Sequence, residues 1–280
     1  MSSPEQAPAP ISGPRPGVSI DARGCKAALV TGAGKRLGRE IAIGLAERGW
    51  DIAVHYHRSA DAAEQTVQQI VRLGRRAIAV QADLSNPEAV ASLFTAASAL
   101  PLRAVINSAS HFEHDTPASF EAAHLQAHLG PNLAAPVQLA QCLHRWLADT
   151  DRGAVINILD QKLDSLNPDF FSYTLTKQAL LGATRMMAMS LAPKLRVVGV
   201  SPGLTLPSYL QTEAEFAQAH QNTALLDTSS TAADIVQTVA FMLDSPAITG
   251  VNLTVDGGQH LLGLQRDVSY LNNTTPTQPG

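Results

Sequence analysis

The stretch AALVTGAGKRLG, residues 27–38, decides the fold. A short apolar run passes directly into Thr31-Gly32-Ala33-Gly34, and the amphipathic stretch REIAIGLAERG (39–49) follows Gly38. Strand, glycine turn and helix in that order form a βα unit. The glycines permit a tight turn, and the helix N-terminus offers unpaired N–H groups to a phosphate.

Reading outward, six more apolar runs recur: 52–57, 77–82, 104–107, 154–159, 197–201 and 252–255. Amphipathic stretches such as AAEQTVQQIVRLG (62–74) lie between them. Runs apolar throughout are strands buried on both faces. Strands alternating with helices form right-handed βαβ units on a parallel sheet. The expectation is therefore an α/β chain: one doubly wound, Rossmann-type domain with a parallel seven-stranded sheet and helices on both faces, spanning residues 25–264. Residues 1–24, with Pro4, Pro8, Pro10, Pro14 and Pro16, bury too little apolar surface to order themselves and read as a disordered lead. Residues 265–280 form a polar tail, from which Tyr270 and Leu271 are placed to dock on a partner subunit.

Composition narrows the function. Of 280 residues, 45% are hydrophobic and 16% charged, with a net charge of −4. That excludes wholesale disorder and gives no basic surface for nucleic acid. Cys25 and Cys142 are too few for a disulfide framework, and Cys142 reads as a packing residue. No apolar run approaches the length of about 18 residues that a membrane span needs. The N-terminus lacks a basic region and an apolar region, so a cytoplasmic protein is expected.

Ligands of this fold bind at the carboxyl ends of the strands. The second strand ends in His55-Tyr56-His57-Arg58-Ser59, without the carboxylate that usually holds the ribose 2′-hydroxyl of NAD. Arg58 and Ser59 suit a 2′-phosphate instead, and Arg36 in the glycine loop is expected to reach it from the other side. Two charge-assisted bonds of about 1.5–3 kcal/mol each favour NADPH by roughly a hundredfold to ten-thousandfold. Asp83 after the third strand suits the adenine amino group, with Leu84 against the ring. Asn107-Ser108-Ala109-Ser110 after the fourth lets the backbone approach the cofactor.

Tyr173 and Lys177 lie at i and i+4 on one helix face after the fifth strand. A nearby ammonium favours the tyrosinate, which lowers the tyrosine pKa and makes the hydroxyl a proton donor near neutral pH. Asn132 falls in the long helix after the fourth strand, where its amide is expected to hold a water beside Lys177.

The glycine loop, Asn107–Ala109, Asn132, Tyr173 with Lys177, Ser201-Pro202-Gly203 and Asp256-Gly257-Gly258 together resemble the short-chain dehydrogenase/reductase family over about residues 26–260. The family usually carries a Ser thirteen residues before the Tyr, whereas this chain has Asp160. A carboxylate is a poor donor to a carbonyl but can relay a proton to a ring nitrogen, so it suits a C=N substrate. With Arg36, Ser110, Phe112 and the His55–Ala60 run, this resembles the pteridine reductases.

The resemblance implies NADPH/NADP+ contacts from Gly32, Arg36, Leu37, His57, Arg58, Ser59, Asp83, Leu84, Asn107, Ala109, Ser110, Tyr173, Lys177, Pro202, Gly203 and Thr205. It implies pterin or folate contacts from Arg36, Ser110, Phe112, Asp160 and Tyr173, and a homotetramer. Asn107-Ser108 in place of Asn-Asn, Pro131 before Asn132, and His111 depart from the pattern. Residues 206–228 correspond to the segment that usually closes over substrate in the family. A reductase of another carbonyl or imine, or a non-catalytic NADPH-binding redox sensor, fits the same cofactor residues.

The remaining residues read more plainly. His111, His114, His124 and His128 lack the partners of a metal set and suit a polar helix face. Met186, Met187 and Met189 suit core or interface, and Asp164 and Asp169 suit a solvated loop.

Overall fold

Strand β1 (Lys26–Val30) forms the centre of the molecule because both its faces are apolar. Its pleat sends Leu29 to one face of the sheet, and Ala28 and Val30 to the other. The computed structural model describes residues 26–207 and 213–270. The Pro-rich lead, Cys25, residues 208–212 of the covering segment and Leu271 lie outside the described residues.

The other strands are β2 (Trp50–Tyr56), β3 (Ala77–Gln81), β4 (Leu102–Asn107), β5 (Gly153–Ile158), β6 (Leu195–Pro202) and β7 (Asn252–Val255). All pair in parallel, in the order β3-β2-β1-β4-β5-β6-β7. The order reverses direction between β1 and β4, which opens a crevice at their carboxyl ends. This is the expected doubly wound sheet, and the strand limits depart from the apolar runs by a few residues at most.

Helices cover both faces. On one, α1 (Arg36–Glu47), α2 (Ala60–Arg72) and α8 (Ala232–Asp244) pack over β1, β2 and β4–β6. Helices α1 and α8 touch closely at Gly44, where a Cβ would strike Val236. On the other face lie α3 (Pro87–Ala97), α5 (Ala135–Trp146) and α6 (Phe171–Ser190). Asn86 caps α3 through bonds from the N–H groups of Glu88 and Ala89. Thr231 and Asp234 form a reciprocal box at the start of α8.

The long helix expected after β4 is interrupted. Helix α4 (Ala122–Leu129) runs into a π turn at Gly130–Ala134 before α5 begins. Pro131 and Pro136 lack the N–H that a regular ladder needs, and the wider turn absorbs both. His128, expected on a polar face, is fully buried. Its Nδ1 bonds the His124 carbonyl, and its ring meets His111 edge-on at 4.5 Å. Helix α7 (Glu213–Asn222) follows β6.

His55 joins β2 to the glycine turn. Its Nδ1 accepts the Gly32 N–H at 3.1 Å, and its Nε2 donates to the Ala82 carbonyl at 3.2 Å. A second ring proton would face the Gly32 N–H. Burial accordingly holds the His55 pKa down to about 4, with the positive field of His57 adding to the effect. The neutral ring is the native form, so its contribution is full above the unfolded value near 6.5 and is lost as pH falls toward 4. Chemical denaturation from pH 7 to 4 is expected to show a loss of up to about 3 kcal/mol from this residue. In His55→Asn the slope over that interval should flatten.

Candidate active site

Helix α6 starts against a buried carboxylate. The Ser172 N–H donates to Asp115 Oδ1 at 2.9 Å, and the Ser172 hydroxyl donates to Asp115 Oδ2. Phe170, just before the helix, sits in the left-handed region with φ 53°. This entry aims Tyr173 and Lys177 at the end of β5.

Tyr173 Oη donates to Asp160 Oδ2 at 2.8 Å, and the Lys162 N–H donates to Asp160 Oδ1 at 2.9 Å. Lys177 Nζ donates to the Ile158 carbonyl at 2.7 Å and lies 5.5 Å from the Tyr173 ring centre. All three side chains face a cavity of about 260 Å³.

The electrostatics overturn the expected acidic tyrosine. Burial pushes the Tyr173 pKa well above 10, and the adjacent Asp160 charge pushes it further. Burial also raises Asp160, against the bonds from Lys162 and Tyr173. The same burial lowers Lys177 to about 8. The ammonium bonds a carbonyl rather than the phenol oxygen, so the carboxylate governs the tyrosine. Tyr173 therefore keeps its proton at neutral pH and directs it at Asp160.

Arg36, Leu37, Ser110, Phe112, Pro202, Gly203 and Thr205 line the same cavity. Phe112 stacks on Phe170 at 4.2 Å and meets Tyr173 edge-on at 4.8 Å. Thr205 Oγ1 donates to the Gly203 carbonyl and lies 2.6 Å from Ser230 Oγ.

Asn132 does not hold a water beside Lys177. Its amide oxygen accepts from the His111 N–H and the Ser110 hydroxyl, and its NH₂ donates to the His111 carbonyl and to Thr176 Oγ1. These four bonds use the whole amide. The π turn directs Asn132 at the loop after β4, so it positions Ser110 instead.

A second cavity, of about 380 Å³, is lined by Gly32, Gly34, Lys35, Tyr56, His57, Arg58, Ser59 and His111. The expected pairing of Arg36 with Arg58 is replaced by Lys35 with Arg58. Arg36 has φ 52°, and its guanidinium donates to the Pro207 carbonyl at 2.8 Å, beside the first cavity. Two cations, a hydroxyl and a glycine loop without a carboxylate fit a phosphate monoester.

Between the two cavities, Thr31 Oγ1 accepts the N–H groups of Ser108 and Ala109 at 3.0 Å each. Gly32, with φ 68°, lies so close to Ala109 that a Cβ would stand 3.0 Å from its Cα. Buried Asn107 bonds Asn157 through its amide nitrogen, and its Oδ1 has no hydrogen-bond partner among the described residues. Asp83 accepts from the Ser85 N–H and hydroxyl, with His57 3.8 Å from its other oxygen. Leu84 is buried with Val90 and Leu93 in the core.

Other residues at this edge carried no sequence signal. Gln161, Leu204, Leu206, Gln259 and Asp267–Ser269 also line the first cavity. Asp169, expected in solvent, is wholly buried and paired with Arg266. Asp164 accepts from the Thr254 hydroxyl. Tyr270, expected on a partner, packs within its own chain against His114 at 4.7 Å. Met187 is buried, whereas Met186 and Met189 are exposed. Lys35 was the legible omission, since it adjoins Arg36 in the loop.

The Tyr173 assignment has a direct optical test. The difference in absorbance at 295 nm between the wild type and Tyr173→Phe is expected to stay flat from pH 6 to 10. A tyrosinate step near neutrality would contradict the Asp160-governed hydroxyl.

Comparison with known proteins agrees with this geometry. The family model described as enoyl-(acyl carrier protein) reductase matches residues 32–260. Pteridine reductase 1 of Leishmania tarentolae is 33% identical over 84% of this chain and 96% of its own length. Dihydromonapterin reductase of Citrobacter koseri is 27% identical over 83% and 96%. The crystal structure of FolM alternative dihydrofolate reductase 1 from Brucella canis, complexed with NADP, is 38% identical and superposes with a TM-score of 0.80, covering 85% of this chain and 94% of that one. The chain belongs to the short-chain dehydrogenase/reductase family.

Proposed function

We propose that this protein is an NADPH-dependent reductase of a dihydropterin, a folate-type pterin included. The observation that carries the reading is the Tyr173–Asp160 bond of 2.8 Å facing the cavity beside Phe112. Asp160 stands where a carbonyl reductase of this family needs a hydroxyl donor. A carboxyl group there serves a ring nitrogen, which needs a proton as its C=N bond is reduced. The relatives named for pteridine, dihydromonapterin and dihydrofolate reduction support the same class.

When bound, NADPH supplies the hydride. Lys35, Arg58 and Ser59 hold its 2′-phosphate, and the turn at Gly32–Gly34 receives the rest of the dinucleotide close to the backbone. Ser110, held by Asn132, and Phe112 bind and stack the flat substrate ring. Asp160 takes up the Tyr173 proton and relays it to the ring nitrogen as the C=N bond is reduced. The Lys162 N–H steadies the other oxygen of Asp160, and Tyr173 recovers its proton from solvent. Lys177 fixes the end of β5 and holds positive charge beneath the pair.

The exposed side chains of Leu175, Met186 and Met189 on α6 support a face covered by a second subunit, in keeping with a homotetramer. No helix among the described residues is long and apolar enough to cross a membrane.

Two experiments test this function. NADPH oxidation at 340 nm is measured with dihydrobiopterin, dihydromonapterin and dihydrofolate, with a quinone and a ketone alongside. Turnover of a pterin is expected, falling by about 10²–10⁴ in Asp160→Ala. Activity on the quinone or ketone alone overturns the pterin reading. In the second, Lys35→Ala and Arg58→Ala are each expected to weaken the preference for NADPH over NADH by about tenfold to a hundredfold. Arg36→Ala is expected to move that ratio least.

A further inference from the structure

The residues from Arg266 to Tyr270 form a strap across one side of the catalytic cavity. Arg266 grips the wholly buried Asp169 with two bonds, of 2.8 and 2.9 Å, and the Asp267 N–H adds a third at 2.8 Å. Together they hold the Asp169 carboxyl below the usual carboxylate range, although burial opposes them. The Tyr270 ring rests against His114 and Phe170. The strap is therefore built, with its backbone fixed at Asp267.

This places an acid at the reacting end. Asp267, Val268 and Ser269 share a cavity with Asp160, Tyr173 and Phe112. Lys162 spans the two carboxylates: its N–H bonds Asp160, and its ammonium lies 3.6 Å from Asp267 Oδ2. The charge of Asp267 is felt at the Tyr173 hydroxyl. The Lys162 ammonium is itself buried and bonds the Asp169 carbonyl, so it is not presented to a ligand. Asp267 keeps about a fifth of its side chain exposed.

The inference rests on the dihydropterin reading. A pterin carries its side chain on the same ring edge that is reduced. Asp267 and Ser269 line the same cavity as Asp160 and Tyr173, so they are within the space that this side chain has to occupy. We propose that Asp267 and Ser269 determine which side chain is accepted, favouring a neutral polyhydroxylated one over a side chain ending in carboxylates. Hydroxyls donate to the Asp267 carboxylate and exchange bonds with Ser269. A glutamyl tail instead brings like charge against Asp267 in a partly enclosed space, where repulsion is only weakly screened.

The test is the ratio of kcat/KM for dihydrofolate to that for dihydromonapterin, which simple loosening of the fold would not move in a defined direction. Asp267→Asn is expected to raise the ratio about tenfold, and Ser269→Asp to lower it. A ratio unmoved in both variants, with both substrates still reduced, overturns the role of the strap and leaves the pterin reductase intact. A wild type that reduces neither substrate, while reducing a ketone, overturns the pterin reading and this inference with it.

Discussion

Tyr173 Oη donates a hydrogen bond to Asp160 Oδ2 at 2.8 Å, where an unpaired ionised carboxylate or phenol would be costly. Burial raises the proton affinity of both groups, and the hydrogen bond lets one proton serve the pair. Much of the surrounding structure serves that contact. Asp115 caps the start of α6 so that Tyr173 points at β5, and Lys162 steadies the far oxygen of Asp160. Lys177 is spent on the carbonyl at the end of β5, which sets the strand and the helix at a fixed distance.

A second set of bonds joins this centre to the nucleotide edge. Thr31 closes the glycine turn onto the loop after β4, and Asn132 holds the next two residues of that loop from behind. His55 ties the same turn to β2 and β3. The two cavities therefore share one polar frame, laid along the carboxyl ends of a sheet whose interior offers no place for such groups. The tail completes the wall through Asp169, a buried acid with its charge matched by Arg266.

Much of this was legible in the chain as written. Strands buried on both faces must be apolar throughout, so the seven runs located the sheet with only small errors at their ends. The Tyr173–Lys177 spacing put both residues on one face of a helix, and Asp160 stood in register thirteen residues before the tyrosine. The missing carboxylate after β2 directed attention to Arg58, which does line the cationic cavity. Local spacing and polarity were sufficient wherever the relevant contacts follow from a regular helix or strand.

Where contacts depend on an irregular backbone or on distant segments, the pattern was silent. Lys35 and Arg36 are neighbours of the same charge, and only the left-handed conformation of Arg36 sends them to different cavities. The π turn at Gly130–Ala134 decides that Asn132 braces a loop. Asp169 and Arg266 meet across 97 residues, and no short motif predicts that a polar tail returns to its own active site. The sequence by itself determined the sheet, the glycine-turn edge and the placing of Tyr173 and Lys177 on one helix face, because periodicity and short-range spacing encode them. Only the tertiary structure decided which cation lines which cavity, where the tyrosine directs its proton and which distant segments wall the first cavity, because those depend on groups that burial brings together from far apart in the chain.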